Sequence, residues 1–238
     1  MSGPADQRTT ILERALAGRG VARPTPLDAL RLARRRWFAG ERLDMGALAR
    51  ELRISRATLY SWVGSREQLL GEVIWSFARE GVRQARAAAT GAGVDYIVDV
   101  VERFDRMNAS FQPLRRFIEQ DPELALRVLA SKNGPVQARM IATCRDLLAE
   151  QVAAGAFTPA LDLDTLAYLM IRIAESFLYS DVIAGSEPDV EKAVEAVRVL
   201  LHAPPLPPRA PPARPTARPR RKGATGRAAS EGRRRKSR

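Results

Sequence analysis

Three helix starts crowd the stretch between Asp44 and Gln68, and they constrain the fold more than any other feature of the chain. In LDMGALARELRISRATLYSWVGSREQLL, Asp44 and Ser55 each stand where an N-cap belongs. Ser65-Arg66-Glu67-Gln68 has the spacing of a capping box. The first two helices run to about Leu52 and Trp62, and helices that short do not hold in water without packing. The spacing predicts that they pair across a tight turn at Arg53-Ile54. Leu48, Ala49 and Leu52 then meet Ile54, Leu59 and Trp62, with the small Ala49 at the closest approach. The outer face of the second helix is left with Ser55, Arg56, Ala57, Thr58, Tyr60 and Ser61. Small and hydrogen-bonding side chains of this kind suit base edges and phosphates in a major groove. The bland alternative is an ordinary helical hairpin in a core. The coincidence of caps, turn spacing, basic face and position early in the chain weighs against it.

The remaining pattern is helical throughout. Thr25-Pro26-Leu27-Asp28 is a start with Pro at the first helical position. Leu27, Leu30, Ala33, Trp37 and Phe38 follow at helical spacing, and Gly40 ends the helix. The helix opened by Ser65 is predicted to reach about Ala89, before a turn at residues 90–93. Further helices are expected over 94–108, 113–119, 122–129 (behind Asp121) and 135–154. Two more are expected over 164–183, capped by Asp164, and 188–201, opened by Pro188. No stretch alternates as a strand would. The expected class is all-α: a three-helix helix-turn-helix domain over 24–70, then a larger helical domain over 71–202. Residues 1–23 read as an arm in which Ile11, Leu12 and Leu16 line one face of a short helix. Residues 203–238, rich in Pro, Arg, Ala and Gly, cannot bury enough apolar surface to offset their ordering entropy and read as disordered.

Charge divides along the same boundaries. Residues 203–238 carry 12 Lys/Arg against one Glu, and residues 24–70 carry 9 against 5 acids. Residues 71–202 carry 14 positive and 19 negative charges. That asymmetry predicts a polyanionic partner for part of the chain only. The single cysteine, Cys144, excludes an internal disulfide and fits a reducing cytosol. No early apolar run reads as a signal peptide. The longest strongly apolar run, 166–171, is far short of the ~20 residues of a membrane helix. A soluble cytoplasmic protein without membrane contact is expected. One Cys and one His (His202) give no zinc-type metal site without carboxylates. No phosphate loop and no catalytic constellation is evident, so neither cofactor nor catalysis is expected.

At LARELRISRATLYSWV, and at the SREQLL helix start behind it, the chain resembles the TetR family of one-component bacterial transcriptional regulators. The resemblance implies a recognition helix carrying Ser55, Thr58 and Tyr60, with Tyr60 on the phosphate backbone. Arg66 at the next helix start would contact phosphate likewise. It also implies a dimeric, DNA-binding repressor whose larger domain binds a small effector. The wording WVGSREQLLGEV is similar to a subgroup of actinobacterial regulators of lactone and quorum-signal degradation. Two departures stand out. The family usually has Gly where Arg53 stands, because the turn visits a left-handed conformation, and Trp62-Val63 replaces the usual His-Phe. Neither removes a phosphate or base contact.

Helices 164–183 and 188–201 are apolar enough to suit a dimer interface built as a four-helix bundle, with a monomeric core as the alternative. Effector-cavity lining is expected from Trp75, Phe104, Met107, Phe111, Phe117, Met140, Cys144, Arg172 and Glu175. Arg172 and Glu175 interrupt an apolar helix at i,i+3, and read equally as polar anchors for a ligand or as a partly buried ion pair or contact across the dimer. Three functional readings follow. The first is an effector-released repressor on a double-stranded operator. The second is an architectural DNA binder dominated by the basic tail. The third, a helical-bundle enzyme with a DNA-binding appendage, lacks its catalytic residues. Arg56 is the best candidate for base readout, since arginine reads guanine bidentately.

Overall fold

The computed structural model describes residues 23–131, 134–183, 185 and 187–204; residues 1–22 of the N-terminal arm and 205–238 of the basic tail lie outside these. Among the described residues there are eleven helices and no strand. They are α1 (Pro26–Phe38), α2 (Met45–Glu51), α3 (Arg56–Val63), α4 (Arg66–Ala88), α5 (Gly93–Ser110) and α6 (Gln112–Gln120), followed by α7 (Pro122–Ala130), α8 (Pro135–Ala153), α9 (Leu163–Leu178), α10 (Ser180–Ile183) and α11 (Val190–Leu201).

The starts are written by caps. Thr25 and Ser65 each form a complete reciprocal capping box, and Asp44, Ser55 and Asp121 each accept the amide three residues on. Two expected starts are displaced. Asp162, not Asp164, caps α9 by accepting from the Thr165 amide at 2.9 Å, and Asp164 falls in the first turn, where an acid complements the helix dipole. Asp189, not Pro188, opens α11 by accepting from the Lys192 amide at 2.9 Å. The helix expected to reach Ile183 also stops early, at Tyr179. Ser180 Oγ there lies 3.0 Å from the carbonyls of both Phe177 and Glu187, and the four-residue α10 follows.

Two apolar cores organise the fold. One joins α1–α3 to the start of α4 and to α6 and α7, through residues such as Trp37, Leu48, Leu59, Leu70, Phe117 and Leu124. The other lies among α5, α8, α9, α11 and the later half of α4, through Ile97, Phe104, Leu148, Leu166, Met170 and Val197. Helix α4 belongs to both: Leu69, Leu70, Val73 and Ile74 enter the first core, and Ala78 and Ala85 the second. An aromatic joint covers the change-over. Phe77 of α4 stacks on Phe111 at 3.7 Å, and Phe111 meets Phe38 and Trp37 of α1 at 5.5 and 5.9 Å.

Candidate DNA interface and effector cavity

Helix α2 closes with two turn bonds, Ile54 N–H to the Ala49 carbonyl at 3.0 Å and Arg53 N–H to the Arg50 carbonyl at 3.1 Å. This is a Schellman closure, which needs a left-handed residue at the position Arg53 occupies. Arg53 takes φ 55°, and is the one described non-glycine residue at positive φ. The sequence departure is thus a change of residue within the same turn. It costs about 1–2 kcal/mol of backbone strain.

The closure sets α3 across α2. Leu59 is fully buried against Leu48 and Ala49, with Ile54 and Trp62 packed beside them. Arg56, Ala57, Tyr60 and Ser61 are exposed together on the outer face, Tyr60 at 48%. Ser55 and Thr58 face each other at 2.8 Å between hydroxyls, and Ser55 Oγ also accepts the Thr58 amide at 3.0 Å. These two therefore hold the helix start. The Arg56 guanidinium lies back over the start of α2, beside Gly46. Asp44, which caps α2, is held below the usual carboxylate range first by the Ala47 amide and further by Arg56 and Arg50. Arg66 is placed differently from its neighbours. Its Nε is enclosed without a hydrogen-bond partner, in a cleft of about 280 Å³ that it shares with Trp37, Arg42 and Arg116.

A second cavity, of about 100 Å³, lies in the larger domain between α4, α5, α8 and α9. Of the nine expected lining residues, Phe104, Met140, Cys144 and Glu175 surround it. The other five have different employment. Phe111 and Phe117 pack on Trp37, at 5.9 and 6.4 Å, because the joint to the first core needs aromatic bulk. Trp75 lies under the Arg139 guanidinium at 5.6 Å. The Met107 methyl fills the notch left by Gly81, where a β-carbon would come within 1.9 Å of it. Arg172 is half exposed, lies outside the cavity lining and bonds Glu175 at 2.6 Å, so the pair forms an ion pair. Gln137 donates to both Glu175 oxygens at 3.3 and 3.2 Å. Sequence reasoning missed Asp105, a buried carboxyl on the cavity wall.

Comparison with known proteins decides the family. The family model of the tetracyclin repressor-like, C-terminal domain matches residues 92–202. Among solved structures, the R. erythropolis transcriptional repressor QsdR from TetR family matches at a TM-score of 0.70 and 32% identity, covering 74% of this chain and 93% of that one.

The chain belongs to the TetR family.

No curated protein matches it. As a TetR-family member it is a DNA-binding transcriptional regulator, and proteins of this family are not enzymes. The fold is that of a TetR repressor, with an N-terminal helix-turn-helix, here α2 and α3, followed by a larger helical domain. Among the described residues no helix is long and apolar enough to cross a membrane.

Proposed function

We propose that the protein is a dimeric repressor that leaves its operator when a small, largely apolar effector enters the cavity of the larger domain. The observation that carries this reading is the position of α4. The helix walls the cavity with Ile74, Phe77, Ala78 and Val82, and its first turns sit in the core that holds α2 and α3. An effector that favours one packing of α4 would change the spacing of two recognition helices, which must match half-sites about 34–36 Å apart. The solved relative QsdR is itself described as a transcriptional repressor.

The dimer is assigned to α9 and α11. Leu169 and Phe177 of α9 are only half-buried and outside both cores, while Tyr168 and Val199 are 50% and 67% exposed. An apolar stripe of this kind suits a two-fold bundle of four helices. Base readout is assigned to Arg56, and phosphate contact to Tyr60, Ser55, Thr58, Ser61 and Arg66, with Ala57 against the groove floor. The resemblance of residues 62–73 to regulators of lactone and quorum-signal degradation makes such compounds the first effectors to screen.

The test is fluorescence anisotropy with the DNA upstream of the protein's own gene, against a scrambled duplex at physiological salt. Selective binding with two protomers per site supports the reading. Equal binding to both duplexes with a steep salt dependence rejects it, and favours a tail-driven architectural binder. Deleting residues 203–238 separates the two directly: selectivity survives in a repressor and most binding vanishes in the alternative.

A further inference from the structure

Two carboxyl groups stand at the wall of the 100 Å³ cavity, and the protein treats them in opposite ways. Glu175 receives Arg172 at 2.6 Å and Gln137 at 3.2 Å, so its charge is answered within the chain. Asp105, on α5, is 2% exposed and has no hydrogen-bond or ion-pair partner among the described residues, and its Oδ2 is fully enclosed. The groups near it do not supply one. The Cys144 thiol on α8 donates instead to Met170 Sδ at 3.8 Å. Tyr179, behind α9, makes no hydrogen bond to Asp105, and the cavity wall from α4 is entirely apolar. Burying an ionised carboxylate without a partner costs several kcal/mol. Burial alone lifts Asp105 to about 7. A site with one unanswered acceptor in apolar surroundings discriminates strongly in favour of a ligand that completes it.

We propose that the cavity's effector is an apolar molecule carrying one N–H donor, amine or amide, which Asp105 receives. This rests on the reading of the cavity as the effector site, and names the class of molecule that fills it. Charge points the same way. With Arg172 and Glu175 cancelling, an ionised Asp105 leaves the cavity one negative charge in excess, which excludes an anionic head. A donor-free ester or hydrocarbon leaves the ionised carboxylate unanswered.

The experiment uses one apolar chain with four heads: hexylamine, N-methylhexanamide, methyl hexanoate and hexanoate. Binding to the full-length protein is measured by calorimetry at pH 6 and pH 8, alongside Asp105→Leu and Asp105→Asn. The variants lose a buried, unpartnered acid and are expected to melt no lower than the parent at pH 8, which controls for folding. At pH 8 the amine or the amide, or both, should bind at least tenfold tighter than the ester, with hexanoate weakest. Their affinity should rise from pH 6 to pH 8, because the donor needs the ionised carboxylate. The titratable groups that line the cavity with Asp105 are Cys144 of α8, Glu175 of α9 and Tyr179 just after it. Burial raises the thiol, to about 12, and the phenol above their usual values, and it raises the Glu175 carboxyl as well, against the pull of Arg172 and Gln137, so the part of the pH profile that belongs to Asp105 is the part lost in Asp105→Leu. Asp105→Leu should abolish the preference for both donors, and Asp105→Asn that for the amine alone. Equal or tighter binding of the ester or hexanoate, or a preference that persists in Asp105→Leu, overturns the proposal while leaving an effector cavity standing. Failure of all four heads to bind overturns it as well; release of operator by other compounds then decides the repressor reading separately.

Discussion

The guanidinium of Arg56 and the α-carbon of Gly46 share one small space: a β-carbon on Gly46 would come within 2.4 Å of Arg56 Nη2. Gly46 is in the first turn of α2, and Arg56 is the first residue of α3. The lack of a side chain at position 46 therefore sets where the candidate base-reading arginine rests.

Gly46→Ala should separate stability from recognition. Alanine is favoured over glycine inside a helix by roughly 0.5–1 kcal/mol, so the melting temperature should hold or rise. The displaced guanidinium should weaken operator binding severalfold. Arg56→Ala should cost roughly 1–3 kcal/mol of operator binding and relax the sequence preference at one position per half-site. Thermal melts and anisotropy on a panel of single-base operator variants read both. An Arg56→Ala protein with unchanged preference would remove Arg56 from base readout.

Arg53→Gly should stabilise the fold. The left-handed turn strains arginine by about 1–2 kcal/mol, part of which is offset by the greater freedom of glycine in the unfolded chain. A net gain near 1 kcal/mol corresponds to about 2–4 °C in a chain of this size. Calorimetry checks it, and a lower melting temperature would mean that the Arg53 side chain makes a contact worth more than the strain.

Phe111→Ala should destabilise by about 2–3 kcal/mol, since it removes the stack on Phe77 and the edge contacts to Trp37 and Phe38. Because this joint spans the two cores, operator release by effector should weaken more than operator binding itself. Equal losses in both would make the joint a matter of stability alone.

Asp105 should make the protein less stable as pH rises. Its folded value of about 7 lies above the ordinary 3.8, so between these two the native state holds a proton that the unfolded chain has lost. Stability therefore falls from pH 4 to pH 7, and the loss is complete above that. Asp105→Asn should raise the melting temperature at pH 8 and change it little at pH 4. A constant difference across that range would show that Asp105 does not titrate there.

Most of the helix starts could be read from caps, because a cap is a local bargain between one side chain and an amide three residues on. The two displaced starts share a cause: in Leu161-Asp162-Leu163-Asp164 and Pro188-Asp189 two plausible openers stand side by side, and only backbone direction decides between them. The break at Tyr179 has no glycine or proline to announce it; it depends on Ser180 reaching the Glu187 carbonyl, a contact made through the following loop. The exposed outer face of α3 was legible because short capped helices leave only one face free. The cavity was less so, since Phe, Met and Trp at helical spacing serve a joint as well as a pocket. Asp105 did leave a signal. It follows Val101 and Val98 at i+4 and i+7 on the apolar stripe of α5, a position where a carboxyl has no solvent to reach.

Helix α4 also sets a mechanical gain. Its 23 residues make a rod about 34 Å long at 1.5 Å per residue. Pivoting such a rod by about 6° at its far end sweeps the near end by ~3.6 Å, close to the 3.4 Å step between stacked bases. In the proposed mechanism, a crowding of atoms beside Ala78 and Val82 that tilts α4 by this much would displace α3 by about one base step.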